Sequence, residues 1–239
     1  MRFSIITYCS KGFEPCLRWS LPSWQKHSGA SNIIIYTDGL AGFPGTEVRR
    51  LPAHTRSDDP LTSWDRKIDV LEDHHKRSHN GDYFMWLDSD CWTTKDLTLA
   101  FDCLGNIASI AGGRLVGRCV RGQASANAGV ALFHNYSLAL FFARWRELSK
   151  KFRGAGPITK ENKWHEQKAF SKTVLEAFDG LHPFKGAVYS ENLYNCEDDN
   201  VDKWLDRVRR YKPAILHFKN SWWRNQEYKN RAFAAMEGR

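Results

Sequence analysis

The sequence predicts an α/β fold: one domain built on a mostly parallel central sheet with helices on both faces. Three observations predict it. Residues 4–37 read as strand, helix, strand, the βαβ unit that brings two strands together in parallel. Tyr83 to Leu87 is a continuous apolar run between polar residues, which suits a strand covered on both faces. The chain has 239 residues, 42% of them apolar and ten of them Trp, enough to bury a sizeable core.

Taken in order, Ser4 to Tyr8 supplies the first strand. Pro15 to His27 carries Leu17, Leu21 and Trp24 at helical spacing, with Gly29 placed to end the helix. Asn32 to Thr37 is the second strand, closed by Asp38-Gly39, and Glu47 to Leu51 is a weaker third. No G-x-G-x-x-G follows the first strand, so a dinucleotide fingerprint is absent. Thr62 to Leu71 reads as a helix with Trp64, Ile68 and Leu71 on one face, feeding the strand Tyr83–Leu87. A short element follows from Thr93 to Leu97, with turns at Gly112-Gly113 and Gly117. Val130 to Phe133 reads as a strand. Ser137 to Phe152 reads as a helix with Leu138, Leu140, Phe141, Trp145 and Leu148 as its apolar stripe. Residues 153–163 form a Gly/Pro/Lys-rich loop. A helix resumes at Trp164 and runs past Val174 to Phe178, and Lys212 to His217 holds a late strand.

Composition excludes several classes. No stretch reaches the roughly 18 apolar residues of a membrane span, and the apolar content excludes a disordered chain. The N-terminus runs straight into a strand, so a cytoplasmic protein is expected. Cys9, Cys16, Cys91, Cys103, Cys119 and Cys196 lack paired metal-ligand spacing and read as free, mostly buried thiols. Net charge is +8, and residues 200–239 hold ten Lys/Arg against four Asp/Glu. That basic tail, interleaved with Trp222, Trp223 and Tyr228, suits an anionic partner.

The chemistry concentrates at Asp88-Ser89-Asp90. Ligands of open α/β sheets gather beyond the carboxyl ends of strands, where these carboxylates fall. Two aspartates at i and i+2 converge on one hard divalent cation, Mn²⁺ or Mg²⁺, with Ser89 turned aside. Such a cation neutralises a diphosphate leaving group. A capped turn explains Asp-Ser-Asp equally well when the motif stands alone. Arg66 and Lys67, ahead of this strand, are within reach of diphosphate oxygens or are simply surface charge.

Five segments occur in a telling order: the βαβ start, a Trp/Lys-bearing helix, Trp-Leu-Asp88-Ser-Asp90, Asn127-Ala128-Gly129 with Glu166-Gln167, and Ile-Leu-His217-Phe-Lys219. Together they resemble nucleotide-sugar glycosyltransferases of the GT-A fold, over roughly residues 1–225. The pattern is most similar to the family of glycogenin and the bacterial lipooligosaccharide galactosyltransferases (family 8). Trp-Leu-Asp-Ser-Asp is also similar to plant xylosyltransferases. The resemblance implies metal binding by Asp88, Asp90 and His217, with Mn²⁺ or Mg²⁺ held against a donor diphosphate. It implies leaving-group stabilisation by Lys219, and donor contacts from Thr7, Tyr8, Asp38, Arg66 or Lys67, Ser89, Asn127, Ala128 and Gly129. Asn127 to Gly129 would form a loop-to-strand turn lining the sugar pocket. Glu166-Gln167 stands where the family has Asp-Gln. It would act at the reacting centre, as a base in an inverting enzyme or as a stabiliser in a retaining one. Asn220 departs from the family's usual glycine.

The acceptor is less legible. Trp222, Trp223 and Arg224 are its candidate residues, for a glycan, a lipid-linked glycan or a hydroxylated base in DNA. Two other classes compete. A metal-dependent nuclease or phosphatase also uses Asp pairs, but generally needs further carboxylates, and Glu197-Asp198-Asp199 reads as a surface turn. A non-catalytic nucleic-acid-binding module would explain the charge but not the ordered motifs.

Overall fold

The computed structural model describes the chain except Ala41, 52–64, 105–109, 115–125, Ser137, 155–164, Pro183, Glu197, Asp199, 219–221 and Arg239. The expected helix start at Thr62–Trp64, the turn at Gly117, most of the 153–163 loop, and Lys219 with Asn220 therefore lie outside the described residues.

The strands are β1 (Phe3–Cys9), β2 (Asn32–Thr37), β3 (Glu47–Arg50), β4 (Tyr83–Leu87), β5 (Cys91–Thr93), β6 (Ile110–Arg114), β7 (Ala126–His134), β8 (Gly186–Ser190) and β9 (Ile215–His217). The α-helices are α1 (Glu14–His27), α2 (Asp65–Arg77), α3 (Leu138–Arg153), α4 (His165–Phe178), α5 (Glu191–Tyr194), α6 (Val201–Tyr211) and α7 (Gln226–Glu237). Seven strands form one sheet in the order β3-β2-β1-β4-β7-β6-β8, and β5 pairs with β9 in a second ribbon. Only β7 runs against its neighbours, pairing antiparallel with β4 and β6, so the sheet is mostly parallel.

Strand alternation sends successive side chains to opposite faces, and each face is covered by helices. Ile6, Ile34, Phe84, Trp86 and Phe133 pack under α2, α3 and α4. Phe3, Ile5, Ile33, Met85 and Val130 pack with Leu17, Leu21 and Trp24 of α1 on the other face. A third cluster joins Trp204, Val208, Leu216, Phe218 and Ala232, bordered by Trp19, Trp92, Trp222, Trp223 and Phe233.

Four local expectations need correction. Gly112-Gly113, expected as a turn, lie inside β6. In α3 the stripe runs through Leu138, Phe141, Phe142, Trp145 and Leu148, whereas Leu140 is 55% exposed, because its position falls off that face. The expected late strand is confined to three residues: Pro213 cannot donate to a ladder, and Lys212, at φ 46°, caps α6. Asn127 to Gly129 belong to β7 rather than to a preceding turn. Their strand has an irregularity, for Gly112 faces Ala131 while the next residue, Gly113, faces Asn127. Residues 128–130 thus find no partner in β6, and the peptide groups of this bulge are open to side chains.

Candidate active site

β4 delivers Asp88 at the carboxyl end of the sheet. Its backbone N–H donates to Gly129 O at 2.8 Å, which ties the strand end to the β7 bulge. The Asp88 carboxylate accepts from Trp86 Nε1 at 2.6 Å and pairs with Lys67 Nζ at 3.1 Å. Lys67, almost fully enclosed, also donates to Ala128 O at 3.0 Å, one of the carbonyls freed by the bulge. Burial alone would lower the Lys67 pKa, but Asp88 and Glu166 together outweigh it and hold the ammonium charged. Lys67 is therefore a fixed positive charge at the strand end.

Two residues on, Asp90 stands beside His217, with Oδ1 and Nε2 3.1 Å apart. The β5–β9 ribbon makes this contact, since Cys91 is directly opposite His217 in register. The backbone between the aspartates is clamped from α1. Ser20 Oγ donates to Ser89 O at 2.7 Å, Cys16 Sγ to the same oxygen at 3.3 Å, and Trp24 Nε1 to Cys91 O at 2.7 Å. Ser89 is buried, so its anchoring contribution is its carbonyl.

Gly129 explains the close approach of these groups. A Cβ there would lie 2.5 Å from His217 Cε1, 2.8 Å from Asn127 Oδ1 and 3.1 Å from Asp88 Oδ2. Asp88 and His217 thus border one small space that any larger residue would fill. Among the described residues, Asp90, Cys91 and His217 offer ligand atoms within 4.8 Å of one another. The carboxylate–imidazole pair of Asp90 and His217 fits a divalent cation. The Asp90 carboxylate suits Mn²⁺ or Mg²⁺, and the Cys91 thiol is a soft donor that such ions do not favour; Asp88, paired with Lys67, is not among this closest group.

Glu166 and Gln167 open α4. Glu166 is 4% exposed and near enough to Lys67 to help raise its pKa, and its carbonyl accepts from Trp145 Nε1 at 3.1 Å. Gln167 spends both amide atoms on the bulge: Oε1 accepts from Ala128 N at 2.8 Å, and Nε2 donates to Ala126 O. Its side chain is thus a clasp on β7. Asn127 accepts from Gly129 N through Oδ1 at 2.6 Å, so it too shapes the bulge.

Tyr8, Asp38 and Arg66 gather at the carboxyl ends of β1 and β2. Tyr8 donates to Asp38 Oδ2, and Arg66 Nη2 reaches Asp38 Oδ1 at 3.1 Å. Burial, then the Asp38 charge, pushes the Tyr8 pKa upward, so the phenol stays a donor. Thr7 is fully buried on the opposite face, shared with Ile5 and Cys9, so its side chain is not brought to this group.

The basic tail is not a free arm. Trp222 packs against Trp204 and Tyr228, and Trp223 stacks on Trp19 with ring centroids 6.3 Å apart. Arg231 pairs with Asp202 at 2.7 Å, while Arg224 and Lys229 lie over Trp223 and Trp19. The case for a DNA acceptor rested on these cations and aromatics being available, and they are largely engaged within the fold. Arg224 is exposed and sits close enough to Cys16 to act on its thiol, as Asp90 does, so it borders the same region.

Two contributors were not anticipated. Trp86 was readable, since i and i+2 on a strand share a face and place it beside Asp88. Asn195, whose Oδ1 lies 2.8 Å from His217 Nδ1, had no local signal.

No protein-family model matches the chain, and no curated protein matches it in sequence. Solved structures do. A glycosyltransferase involved in the glycosylation of the major capsid of PBCV-1 aligns over 99% of this chain and 100% of its own, with TM-score 0.55 and 14% identity. The glycosyltransferase GlyE of Streptococcus pneumoniae TIGR4 aligns over 98% of this chain and 62% of its own, with TM-score 0.57 and 14% identity. The WbbM bifunctional glycosyltransferase aligns over 98% and 49%, with TM-score 0.62 and 14% identity. The chain therefore spans about half to two-thirds of GlyE and WbbM. The fold is that of glycosyltransferases.

Proposed function

We propose that the protein is a metal-dependent glycosyltransferase that moves a sugar from a nucleoside-diphosphate donor, a UDP-sugar foremost, to a hydroxyl of a glycan. The observation that supports this best is the placing of Asp88 and His217 beside Gly129, with Asp90 against His217 and the buried cation Lys67 on Asp88. The glycosyltransferase fold and the order of motifs similar to family 8 support it further. In this reading the whole chain forms the catalytic domain.

Asp88, Asp90 and His217 would hold Mn²⁺ or Mg²⁺, which neutralises charge on the diphosphate when bound. Lys67 pairs with Asp88 and, through Ala128, holds the position of the bulge. Tyr8, Asp38 and Arg66 present donors and acceptors to the nucleoside. In the reaction the bond from the anomeric carbon to the diphosphate oxygen breaks, and a bond from the acceptor oxygen forms. The acceptor's proton passes to Glu166 if the configuration inverts, or to the departing diphosphate if it is retained; in the latter case Glu166 stabilises the oxocarbenium-like centre. Lys219 is proposed to assist departure of the diphosphate. Trp222, Trp223 and Arg224 border the acceptor side.

A thermal-shift panel of UDP-, GDP-, TDP- and CMP-sugars, each with and without Mn²⁺, tests the reading. Stabilisation by one nucleotide class, requiring metal, is the expected result. A flat panel would overturn the donor assignment.

A further inference from the structure

We infer that Asn195 is a positioning residue for the metal centre, setting the tautomer of His217 so that Nε2 presents its lone pair to a cation; this rests on the metal-dependent reading above. Asn195 is fully buried beside β9. It is held there because its neighbour Cys196 pairs with β9: Cys196 N donates to Ile215 O at 3.2 Å and His217 N to Cys196 O at 3.0 Å. Its Oδ1 lies 2.8 Å from His217 Nδ1. An amide oxygen only accepts, so the hydrogen belongs on Nδ1. Nε2 then turns its lone pair toward Asp90 Oδ1, 3.1 Å away.

At that separation Nε2 and Oδ1 can ligate one divalent cation as neighbouring members of its shell. The amide orientation also carries a cost, since Asn195 Nδ2 is buried without a hydrogen-bond partner. Turning the amide over would offer N–H to Nδ1, favour the other tautomer, and place a hydrogen on Nε2 against the cation. The side chain thus selects the tautomer that binds metal, as partners behind metal-binding histidines commonly do.

The test is Mn²⁺ affinity, measured with Mn²⁺ alone by the paramagnetic resonance signal of the free ion, on full-length wild type, Asn195→Leu and Asn195→Asp. Thermal unfolding in EDTA checks that each is folded. Asn195→Leu should weaken Mn²⁺ about 10- to 100-fold. Asn195→Asp, which keeps an acceptor on Nδ1, should restore affinity to within about threefold of wild type. Nitrogen-detected NMR of His217 should show hydrogen on Nδ1 in wild type and Asn195→Asp. Equal Mn²⁺ affinity in folded Asn195→Leu would overturn the inference, as would a folded Asn195→Asp that binds no better than a residue lacking an acceptor. If Asn195→Leu does not fold, the Asn195→Asp result and the tautomer decide. Wild type that binds no Mn²⁺ would instead remove the metal reading itself.

Discussion

Asp90 meets His217 Nε2 at 3.1 Å and is partly open to solvent, and in the proposed function its carboxylate is a metal ligand rather than a packing group. Asp90→Asn should therefore cut transfer by about 10²–10³-fold, the scale of losing one preorganised electrostatic contact. Its unfolding temperature should stay near wild type. Full Mn²⁺-dependent transfer in the variant would show that the ligand set is wrong. Gly129 makes the opposite kind of contribution, by having no side chain. In Gly129→Ala the new Cβ meets His217 Cε1 at 2.5 Å, and His217 is held between Asp90 and Asn195. The variant should lose about 1–3 kcal/mol of stability from overpacking and bind Mn²⁺ more weakly. Calorimetry and metal titration check the two effects separately. The Asp pair was legible because carboxylates at a strand end advertise themselves. Asn195 was not, because its meaning comes only from β9 lying beside it.

At the scale of elements, helices α2 and α4 carry groups that tie stability to pH. His74 of α2 packs edge-on to Phe84, and burial, then the Arg49 charge, depresses its pKa to about 4. An unfolded chain would take up that proton nearer pH 6.5, so the contribution is complete above about 6.5 and is lost as pH falls toward 4. Glu176 of α4 receives Arg144 of α3 at 3.2 Å and His182 at 2.8 Å. Burial would raise its pKa, but Arg144, His182 and Lys172 outweigh burial and draw it down to about 2. That stabilisation is present above about 4.5 and fades as pH falls toward 2. Urea midpoints should hold steady above pH 6.5 and decline in both windows, and His74→Gln should flatten the upper one. A midpoint unchanged from pH 7 to 4 would contradict the burial of a neutral His74. Most elements were readable from periodicity. The β7 bulge was not, because it depends on register with β6, and it is the bulge that offers Ala128 to Gln167 and Lys67.

Across the whole molecule, the C-terminal segment belongs to the fold. Phe233 of α7 lies 5.3 Å from Trp92, on the ribbon that carries His217, and Lys212 Nζ donates to Ala235 O. Deleting residues 226–237 should lower the unfolding temperature by several degrees, at about 2–4 °C per kcal/mol for a chain of this size. It should also weaken donor binding, because β9 loses its cover. An unchanged unfolding temperature would show that the segment adds nothing to the stability of the fold. Among the described residues, no helix is long and apolar enough to cross a membrane.

Residue order alone determined the βαβ start, the buried β4 strand ending in Asp88-Ser-Asp90, and the helical stripes, since each is a local pattern of polarity. Tertiary structure decided what those residues face. Leu140 was read as part of the apolar stripe of its helix, yet helical phase turns it to solvent. The tail's charge suggested an anionic partner, yet Arg231 is paired with Asp202, twenty-nine positions earlier. His217, Asn195, Gly129 and Lys67 are far apart in sequence and acquire a common meaning only when the two β-layers close on one another. The physical reason is the same in each case: periodicity encodes which side of an element is buried, but a site is made by contacts between elements, and those depend on register and packing.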